Sequence, residues 1–252
     1  MTAIAAVYVP DGFIISADGR CRSDDGKQTD FDTECAQKIF PVVNEERIFA
    51  YSLIGFAGTN DGKFKMVDEL RKATDTLKNR RCEDGDVYIQ KFGHLLQQAI
   101  NKAVRDGRID EWPTNEHRPV ESRKQLFRLI LVGYFKNIPR QFEIRFARNE
   151  EDRVRFFVES PLLAKVHSAV TGSNVIADLL FKERDPRFQR YEPAKPDWPT
   201  LVWAEAWTRG YIDACADPLA SEIDPLCKSI GGHVHTAEIS KERGFRWRVP
   251  PI

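Results

Sequence analysis

The stretch TAIAAVYVPDGFIISADGR, residues 2–20, contains two short segments rich in β-forming residues with a turn signal between them. The segments are residues 3–9 and 13–17, and the turn is the Pro-Asp-Gly sequence at residues 10–12. This pattern is typical of a β-hairpin. The sequence therefore predicts that the first residues of the chain lie in a sheet, and that Asp18 follows directly after the second strand.

The hydrophobic pattern of the remaining chain changes from period two to the helical period and back. We expect strands at residues 38–43 and 47–54, helices at 64–77 and 88–103, strands at 126–135, 141–147, 154–158 and 167–171, helices at 175–181 and 201–214, and a closing hairpin at 233–239 and 245–249. Strands and helices occur in separate blocks, which favours helices packed against antiparallel sheets over a β-α-β alternation. The predicted fold class is therefore α+β.

Length and composition indicate one ordinary globular domain. The chain has 252 residues, of which 42% are hydrophobic and 30% are charged, so it can bury one large core beneath a well-solvated surface. We expect a single domain over residues 1–252. Proline and charged residues are concentrated at residues 185–199, which predicts a surface insertion there.

Charge and cysteine content argue against several classes of function. Lys plus Arg (38) equals Asp plus Glu (38), so no net field would hold the chain on nucleic acid or on an anionic membrane. The five cysteines are scattered and form no C-x-x-C pair, which favours reduced thiols and a cytoplasmic location. We expect no signal peptide, since no basic stretch precedes the first apolar segment, and no apolar run reaches the ~20 residues of a membrane-spanning helix.

Several segments resemble the proteasome β-subunit family in residue type and in order. They are Thr2-Ala-Ile-Ala-Ala-Val, the Asp11–Arg20 segment with its Ala-Asp-x-Arg turn, Lys38-Ile-Phe-Pro-Val, and Ser52-Leu-Ile-Gly-Phe-Ala-Gly58, followed later by Val170-Thr-Gly-Ser173 and Ser229-Ile-Gly-Gly232. Four elements in register within the first 60 residues make the resemblance much more specific than the Ala-Asp-x-Arg turn alone. The chain is thus similar to proteasome-like N-terminal-nucleophile (Ntn) hydrolases.

The resemblance implies both a fold and an activity. The fold is the Ntn hydrolase fold, a four-layer αββα sandwich of two antiparallel sheets flanked by helices, which agrees with the block order. The activity is that of a threonine-type amide hydrolase, in particular a peptidase. Thr2 would be the nucleophile, Asp18 and Lys38 the charged pair beside it, Gly55 the donor of the oxyanion-hole N–H group, and Ser173 the support of the threonine amine.

The proposed chemistry explains why these residue types are needed. A threonine hydroxyl is a poor nucleophile at neutral pH, and a free α-amine with a pKa of about 7.7–8 on the same residue is a base within reach. We expect Met1 to be removed, because Thr2 is small enough for methionine aminopeptidase to act on the chain, and this removal gives Thr2 its free amine. A lysine held by a carboxylate helps to keep that amine neutral, and a glycine N–H group can stabilise the oxyanion. No metal or cofactor is needed.

The position of the catalytic lysine has an alternative. The stretch between Asp18 and Lys38 is a few residues longer than is usual in the family, which leaves Lys27 as a second candidate. Without the family pattern, a lysine at the start of a strand would be interpreted as an exposed edge charge.

The late Ser-Gly-Gly segment also departs from the family, which has an aspartate three residues before its serine. Alignment of the glycine pairs puts Cys227 at the aspartate position and Ile230 at the serine position. Asp224 or Ser229 can substitute if the loop is shifted. This departure is the strongest reason within the sequence to question peptidase activity.

Substrate, assembly and rival functions follow from the same resemblance. By position, Cys21, Ala36, Leu53 and Ala57 would line the pocket for the residue that precedes the scissile bond, which predicts an apolar preference. Peptides or unfolded proteins are the implied substrates, and a homo-oligomer such as a ring is the implied assembly. Two other functions stay open: a catalytically inactive scaffold subunit of the same fold, and a non-peptide Ntn amidase.

Two further motifs partly match a phosphate-binding loop and a metal site, but neither match is complete. The run from Gly58 to Lys63 is one residue short of a phosphate-binding loop and is followed by Phe64 in place of Ser or Thr. His233 and His235 alternate onto one strand face, but no third ligand with suitable spacing accompanies them. We therefore expect neither an NTPase nor a metal site.

Overall fold

The computed structural model describes residues 2–21, 33–59, 61–109, 125–149, 151, 153–163 and 165–252. The strands are β1 Ile4–Val9, β2 Gly12–Ala17, β3 Ile39–Val43, β4 Arg47–Gly55, β5 Gln125–Phe135, β6 Ile138–Arg148, β7 Val154–Glu159, β8 His167–Thr171, β9 His235–Ser240 and β10 Gly244–Val249. The α-helices are α1 Met66–Lys78, α2 Gly85–Arg105, α3 Asn174–Asp178, α4 Leu201–Ala216 and α5 Pro218–Ile223. Within the described ranges, no helix combines the length and apolarity that crossing a membrane requires.

The first sheet has the strand order β10-β9-β2-β1-β8, and each neighbouring pair is antiparallel. All six residues of the central strand β2 are buried, as are five of the six in β1. Because successive side chains of a strand face opposite sides, both faces of this sheet must be covered. The predicted first hairpin is confirmed, and β1 lies between β2 and β8.

The second sheet has the strand order β3-β4-β5-β6-β7. β3 pairs with β4 so that Ile39 lies opposite Ser52, and β6 pairs with β7 so that Phe146 lies opposite Phe156. The Phe146 ring also stacks on Phe127 of β5, with ring centroids 4.3 Å apart. Two five-stranded antiparallel sheets accompanied by helices confirm the predicted α+β class.

The chain divides into two compact units. The first comprises Met1–Ser52, Val132–Pro139 and Leu162–Ile252, and the second comprises Leu53–Leu131 and Arg140–Pro161. The single domain expected from the sequence stays a prediction.

In the first unit, helix α4 covers β1 and β2. Leu201 and Ala204 of the helix pack in one apolar cluster with Val7 and Ile14 of the sheet. Beside this cluster the Ser16 hydroxyl shares buried hydrogen bonds with the hydroxyls of Thr208 in α4, at 2.8 Å, and Thr236 in β9, at 2.9 Å. The helix is therefore attached to the sheet by both apolar and polar contacts.

In the second unit, helix α2 is attached to β7. The helix begins after Asp84, whose carboxylate accepts a hydrogen bond from the Val87 N–H group at 2.8 Å. Amides of Gln97 and Asn101 both donate to the Val154 carbonyl oxygen at 3.0 Å, and Asn101 Oδ1 accepts from the Val154 N–H group at 2.9 Å. Two side chains one helical turn apart thus provide hydrogen-bond partners for the backbone N–H and C=O groups of Val154, the first residue of the edge strand β7.

The β5–β6 turn is tighter than the sequence predicted. We expected a turn over residues 136–139, but the turn has two residues, Lys136 and Asn137, with φ angles of 47° and 64°. Positive φ at both positions is the geometry of a type I′ hairpin turn, whose twist matches that of the flanking strands. β6 consequently begins at Ile138 and not at Gln141.

The chain after β8 differs more from the sequence prediction. The helix expected at residues 175–181 is α3 followed by a π-helical turn at Leu179–Glu183, which ends at Arg184 with a φ of 53°. Helix α5 and a 3-10 helix at Pro225–Ser229 were not predicted, because both are too short to show a helical period of apolar residues; the proline after an aspartate cap at the start of each is the signal that could have found them. In the segment expected to be an insertion, Phe188 is fully buried and a 3-10 turn lies at Gln189–Tyr191.

Candidate active site

Asp18 lies directly after β2 and is fully buried. Its Oδ1 atom accepts a hydrogen bond from the Ala3 N–H group at 2.9 Å, and its Oδ2 atom accepts one from the Gly231 N–H group at 3.1 Å. The Asp18 N–H group donates to the Ala3 carbonyl oxygen at 3.1 Å. The carboxylate is therefore fixed to the peptide group that joins Thr2 to Ala3.

Lys38 makes an ion pair with this carboxylate. Its Nζ atom donates to Asp18 Oδ1 at 2.9 Å and to the carbonyl oxygen of Arg20 at 2.5 Å. The lysine side chain is 10% exposed and the aspartate side chain is 0% exposed, so water screens the pair weakly. Lys27, the alternative from the sequence, lies outside the described residues.

Opposing effects act on the pKa of Asp18. Burial is the largest effect and raises the pKa of the carboxyl above its ordinary value. The charge and hydrogen bond of Lys38, together with the two backbone N–H donors, act in the opposite direction. An isolated carboxylate at this depth would take up a proton, so the charged form depends on the lysine.

The register of β1 with β8, continued past its last pair, predicts that Thr2 lies level with Ser173. β1 and β8 pair antiparallel, and the two segments stay in contact beyond the last pair. A Cβ at Gly172 would lie 3.2 Å from Ala3 Cα. Continuing the register by one more residue puts Thr2 opposite Ser173. Thr2 is partly exposed and lies at the end of the first sheet where Asp18 also lies.

Ser173 is held by Asp224. Its Oγ atom accepts from the Ile176 N–H group at 3.1 Å, which caps α3, and donates to Asp224 Oδ2 at 2.5 Å. Both residues are buried. Of the late-segment alternatives, Asp224 accepts the Ser173 hydroxyl proton, and the Cys227 thiol also lies in hydrogen-bonding contact with Ser173 at the edge of an apolar cluster. The Ser229 hydroxyl donates instead to the carbonyl oxygen of residue 226.

We expect the Ser173–Asp224 contact to contribute to stability. Ser173→Ala or Asp224→Ala should each lower the free energy of unfolding by about 1–3 kcal/mol, because each removes this buried hydrogen bond together with the helix cap that the same side chain provides. The double variant should lose less than the sum of the two, since the partners are then removed together. Urea denaturation at pH 7 measures this, with Ser221→Ala on an exposed helix face as the control. Strictly additive losses would contradict the contact.

Arg20 fixes the loop that supplies the Gly231 N–H group. Its Nε atom donates to Glu34 Oε2 at 3.0 Å, and its Nη1 atom donates to the Ile230 carbonyl oxygen at 2.9 Å. Gly231 has a φ of 141°, and a Cβ there would lie 2.9 Å from the guanidinium carbon of Arg20. A larger residue would therefore be strained at this φ and would push aside the Arg20 guanidinium that holds the loop.

His235 contacts the backbone of Lys38. It begins β9, is fully buried, and its Nε2 atom accepts a hydrogen bond from the Lys38 N–H group at 3.0 Å. Burial, the largest effect, and the nearby charge of Lys38 lower the pKa of His235 to about 4. The ring is therefore neutral at neutral pH, with its proton on Nδ1. His233 differs, since its Nε2 atom lies 2.8 Å from the Pro250 carbonyl oxygen.

The lowered pKa of His235 predicts a dependence of stability on pH. Between the ordinary value of 6.5 and about 4, the unfolded histidine binds a proton that the folded one does not. The contribution is therefore complete above pH 6.5 and falls by about 3 kcal/mol as the pH drops to 4. We expect the wild-type free energy of unfolding, minus that of His235→Gln, to decrease by this amount between pH 7 and pH 4. A difference that does not change with pH would contradict the assignment.

The remaining predicted site residues are divided between the units. Leu53, Gly55 and Ala57 belong to the second unit, where Gly55 has a φ of 103° and a Cβ there would lie 2.6 Å from a backbone oxygen of β5. Cys21 and Ala36 belong to the first unit, where Cys21 is exposed and the Ala36 N–H group donates to the carbonyl oxygen of residue 19 at 2.7 Å. The oxyanion role of Gly55 and the pocket roles of the other four stay predictions.

The two five-stranded sheets, together with the likeness to solved structures, show that the chain has the proteasome-like Ntn hydrolase fold. No protein-family model matches the sequence, and no curated protein matches it either. Solved structures do. The Anbu (Gly-1) mutant from Hyphomicrobium sp. strain MC1 matches with a TM-score of 0.54 at 13% sequence identity, over 98% of this chain and 87% of that one.

Anbu (ancestral beta-subunit) from Yersinia bercovieri matches with a TM-score of 0.53 at 12% identity, over 99% of this chain and 88% of that one. At such low identity the likeness establishes the fold alone. It confirms the proteasome-like resemblance and the fold class that the sequence predicted.

Proposed function

We propose that this chain is an N-terminal threonine amide hydrolase whose nucleophile is Thr2. The observation that carries the proposal is the buried Asp18–Lys38 pair, which is hydrogen-bonded to the peptide group that follows Thr2. Buried ion pairs contribute little net stability, so this one is better explained by a chemical role. Ser173, level with Thr2 in the strand register and bound to Asp224, supports the same role.

The proposed reaction proceeds through an ester on Thr2. The free amine of the mature Thr2 takes the proton from Oγ as Oγ bonds to the carbonyl carbon of the substrate, and the carbonyl electron pair moves to the oxygen. A backbone N–H group stabilises this oxyanion. When the intermediate collapses, the C–N bond breaks and the amine returns its proton to the leaving nitrogen. Water then hydrolyses the ester, which releases the acid and restores the hydroxyl.

Lys38 and Asp18 have complementary roles in this scheme. The Lys38 ammonium disfavours protonation of the nearby Thr2 amine, because like charges repel, so more of the amine is available as a base at neutral pH. Asp18 keeps the ammonium in place and compensates its charge in a buried site. In the proposed scheme, the Ser173 hydroxyl holds the Thr2 amine in position for proton transfer.

The proposed substrates are peptides or unfolded chains, and the proposed assembly is a homo-oligomer such as a ring. The fold shared with the two Anbu structures supports this, as does the description of the Yersinia bercovieri protein as an ancestral beta-subunit. An assembly that encloses the sites would restrict access to unfolded chains. The cytoplasmic location stays a prediction from composition.

Hydrolysis of short fluorogenic peptides by the purified chain tests the proposed function. We expect turnover that falls to background in Thr2→Ala and is kept in Thr76→Ala, an exposed threonine of α1. Preferred turnover of small acyl amides would replace the peptidase with a non-peptide amidase. No turnover of either class by protein verified to begin at Thr2 would indicate a catalytically inactive scaffold subunit.

A further inference from the structure

Two buried side chains bind the backbone of Lys38, the residue that precedes β3. His235 Nε2 accepts the Lys38 N–H group at 3.0 Å, and Ser52 Oγ donates to the Lys38 carbonyl oxygen at 2.5 Å. Both side chains are 0% exposed. The lysine is thus held at both ends of its own backbone as well as at its ammonium group.

The two contacts come from strands next to the site. His235 lies opposite Ala17, the residue before Asp18, in the pairing of β2 with β9. Ser52 lies opposite Ile39, the residue after Lys38, in the pairing of β3 with β4. The Lys38 backbone is therefore bound to β9, the neighbour of the strand that leads to Asp18, and to β4, the neighbour of β3.

We propose that His235 and Ser52 are positioning residues that hold Lys38 in place for the threonine chemistry. The proposal rests on the proposed function, in which the Lys38 ammonium controls the Thr2 amine. A lysine side chain has four rotatable bonds, so the position of its nitrogen depends on how firmly its backbone is held. Small displacements of a catalytic group cause large losses of rate, up to about a hundredfold for 1 Å.

The neutral state of the His235 ring suits this role. A ring nitrogen can accept the Lys38 N–H group only when that nitrogen carries no proton. The groups that face the ring are the Lys38 charge, His233 and the Trp247 ring, whose centroid lies 6.1 Å away. Since burial and the Lys38 charge both disfavour a second proton on the ring, the acceptor is maintained at neutral pH.

Substitutions at position 235 separate a positioning role from simple packing. His235→Leu fills the space but removes the acceptor, whereas His235→Gln keeps an oxygen that can accept the Lys38 N–H group. Ser52→Ala removes the second contact. Thr236→Val is the matched control, because Thr236 is equally buried on the same strand but bonds to Ser16 and not to Lys38.

Each variant is tested by two measurements, and its melting temperature shows whether it is folded. The first is acylation of Lys38 by an amine reagent, measured by peptide mass spectrometry relative to exposed Lys72, which needs no enzyme activity. The second is the rate at which a β-lactone labels Thr2. We expect His235→Leu to raise Lys38 acylation and lower Thr2 labelling by roughly tenfold each, with a smaller effect of Ser52→Ala. His235→Gln should restore most of both, and Thr236→Val should change neither.

Unchanged Lys38 acylation in folded His235→Leu would overturn the proposal, as would an equal response to Thr236→Val. The two levels of inference fail separately. If wild-type protein that begins at Thr2 takes no label, the proposed function is wrong, and Lys38 acylation still decides whether His235 and Ser52 hold the lysine.

Discussion

Lys38→Met should lower kcat/KM for peptide hydrolysis about a thousandfold and leave the chain folded. The methionine keeps the length of the apolar stem but removes the ammonium that faces Asp18. Burial already raises the pKa of Asp18, so without the lysine this carboxyl takes up a proton in preference to remaining charged and unpaired. The catalytic charge is then lost, while the hydrogen bonds to Ala3 and Gly231 can persist.

Initial rates with a fluorogenic peptide measure this prediction, together with the melting temperature of each variant. Lys72→Met is the control, because Lys72 is 67% exposed and pairs with Glu69 on the surface of α1. It should keep the wild-type rate. A folded Lys38→Met protein with a rate close to that of the wild type would show that the ammonium is not part of the reaction.

Asp18→Asn is expected to have the largest effect on stability. It leaves a lysine with a 10% exposed side chain without its counter-charge, and removal of one partner from a buried ion pair costs about 3–5 kcal/mol. The amide oxygen can still accept the Ala3 N–H group, but the amide nitrogen then faces the Gly231 N–H group, which is also a donor, so the loss includes this backbone contact as well as the charge pair. Combining Asp18→Asn with Lys38→Met removes both charges, and we expect the double variant to be more stable than Asp18→Asn alone.

Urea denaturation of the wild type, both single variants and the double variant at pH 7 gives the coupling free energy of the pair. Recovery of stability in the double variant is the expected result. If the losses simply add, the two charges do not interact strongly, and the buried pair on which the proposed function depends would be contradicted.

The first hairpin and Asp18 could be predicted from the sequence because their signals are local. Apolar segments on either side of a Pro-Asp-Gly turn define two strands, and Asp18 follows the second one immediately. Lys38 and Ser173 were reached through the family resemblance, which supplies residue types in a fixed order. The contacts that support their roles, with Asp18 and Asp224, are between segments far apart along the chain.

Asp224 was one of two alternatives from the sequence, and the contact of His235 with Lys38 was not predicted. Asp224 contacts Ser173, which is 51 positions away along the chain, and it caps the 3-10 helix that begins at Pro225, ahead of the glycine pair at residues 231 and 232. Alignment of those glycines alone selected Cys227. His235 meets Lys38 across 197 positions, and no spacing rule connects them. In the sequence, the spacing of His233 and His235 raised the question of a pair of metal ligands. In the structure, the His235 ring accepts a hydrogen bond from the Lys38 N–H group.

The mass of the intact protein before and after reaction with a threonine-directed β-lactone or epoxyketone tests the central claim most directly. Our account predicts that the mature chain begins at Thr2 and gains one adduct, which peptide mapping locates on Thr2 and which Thr2→Ala does not form. A folded chain that begins at Thr2 and takes up no adduct, or one modified equally in Thr2→Ala, would contradict it.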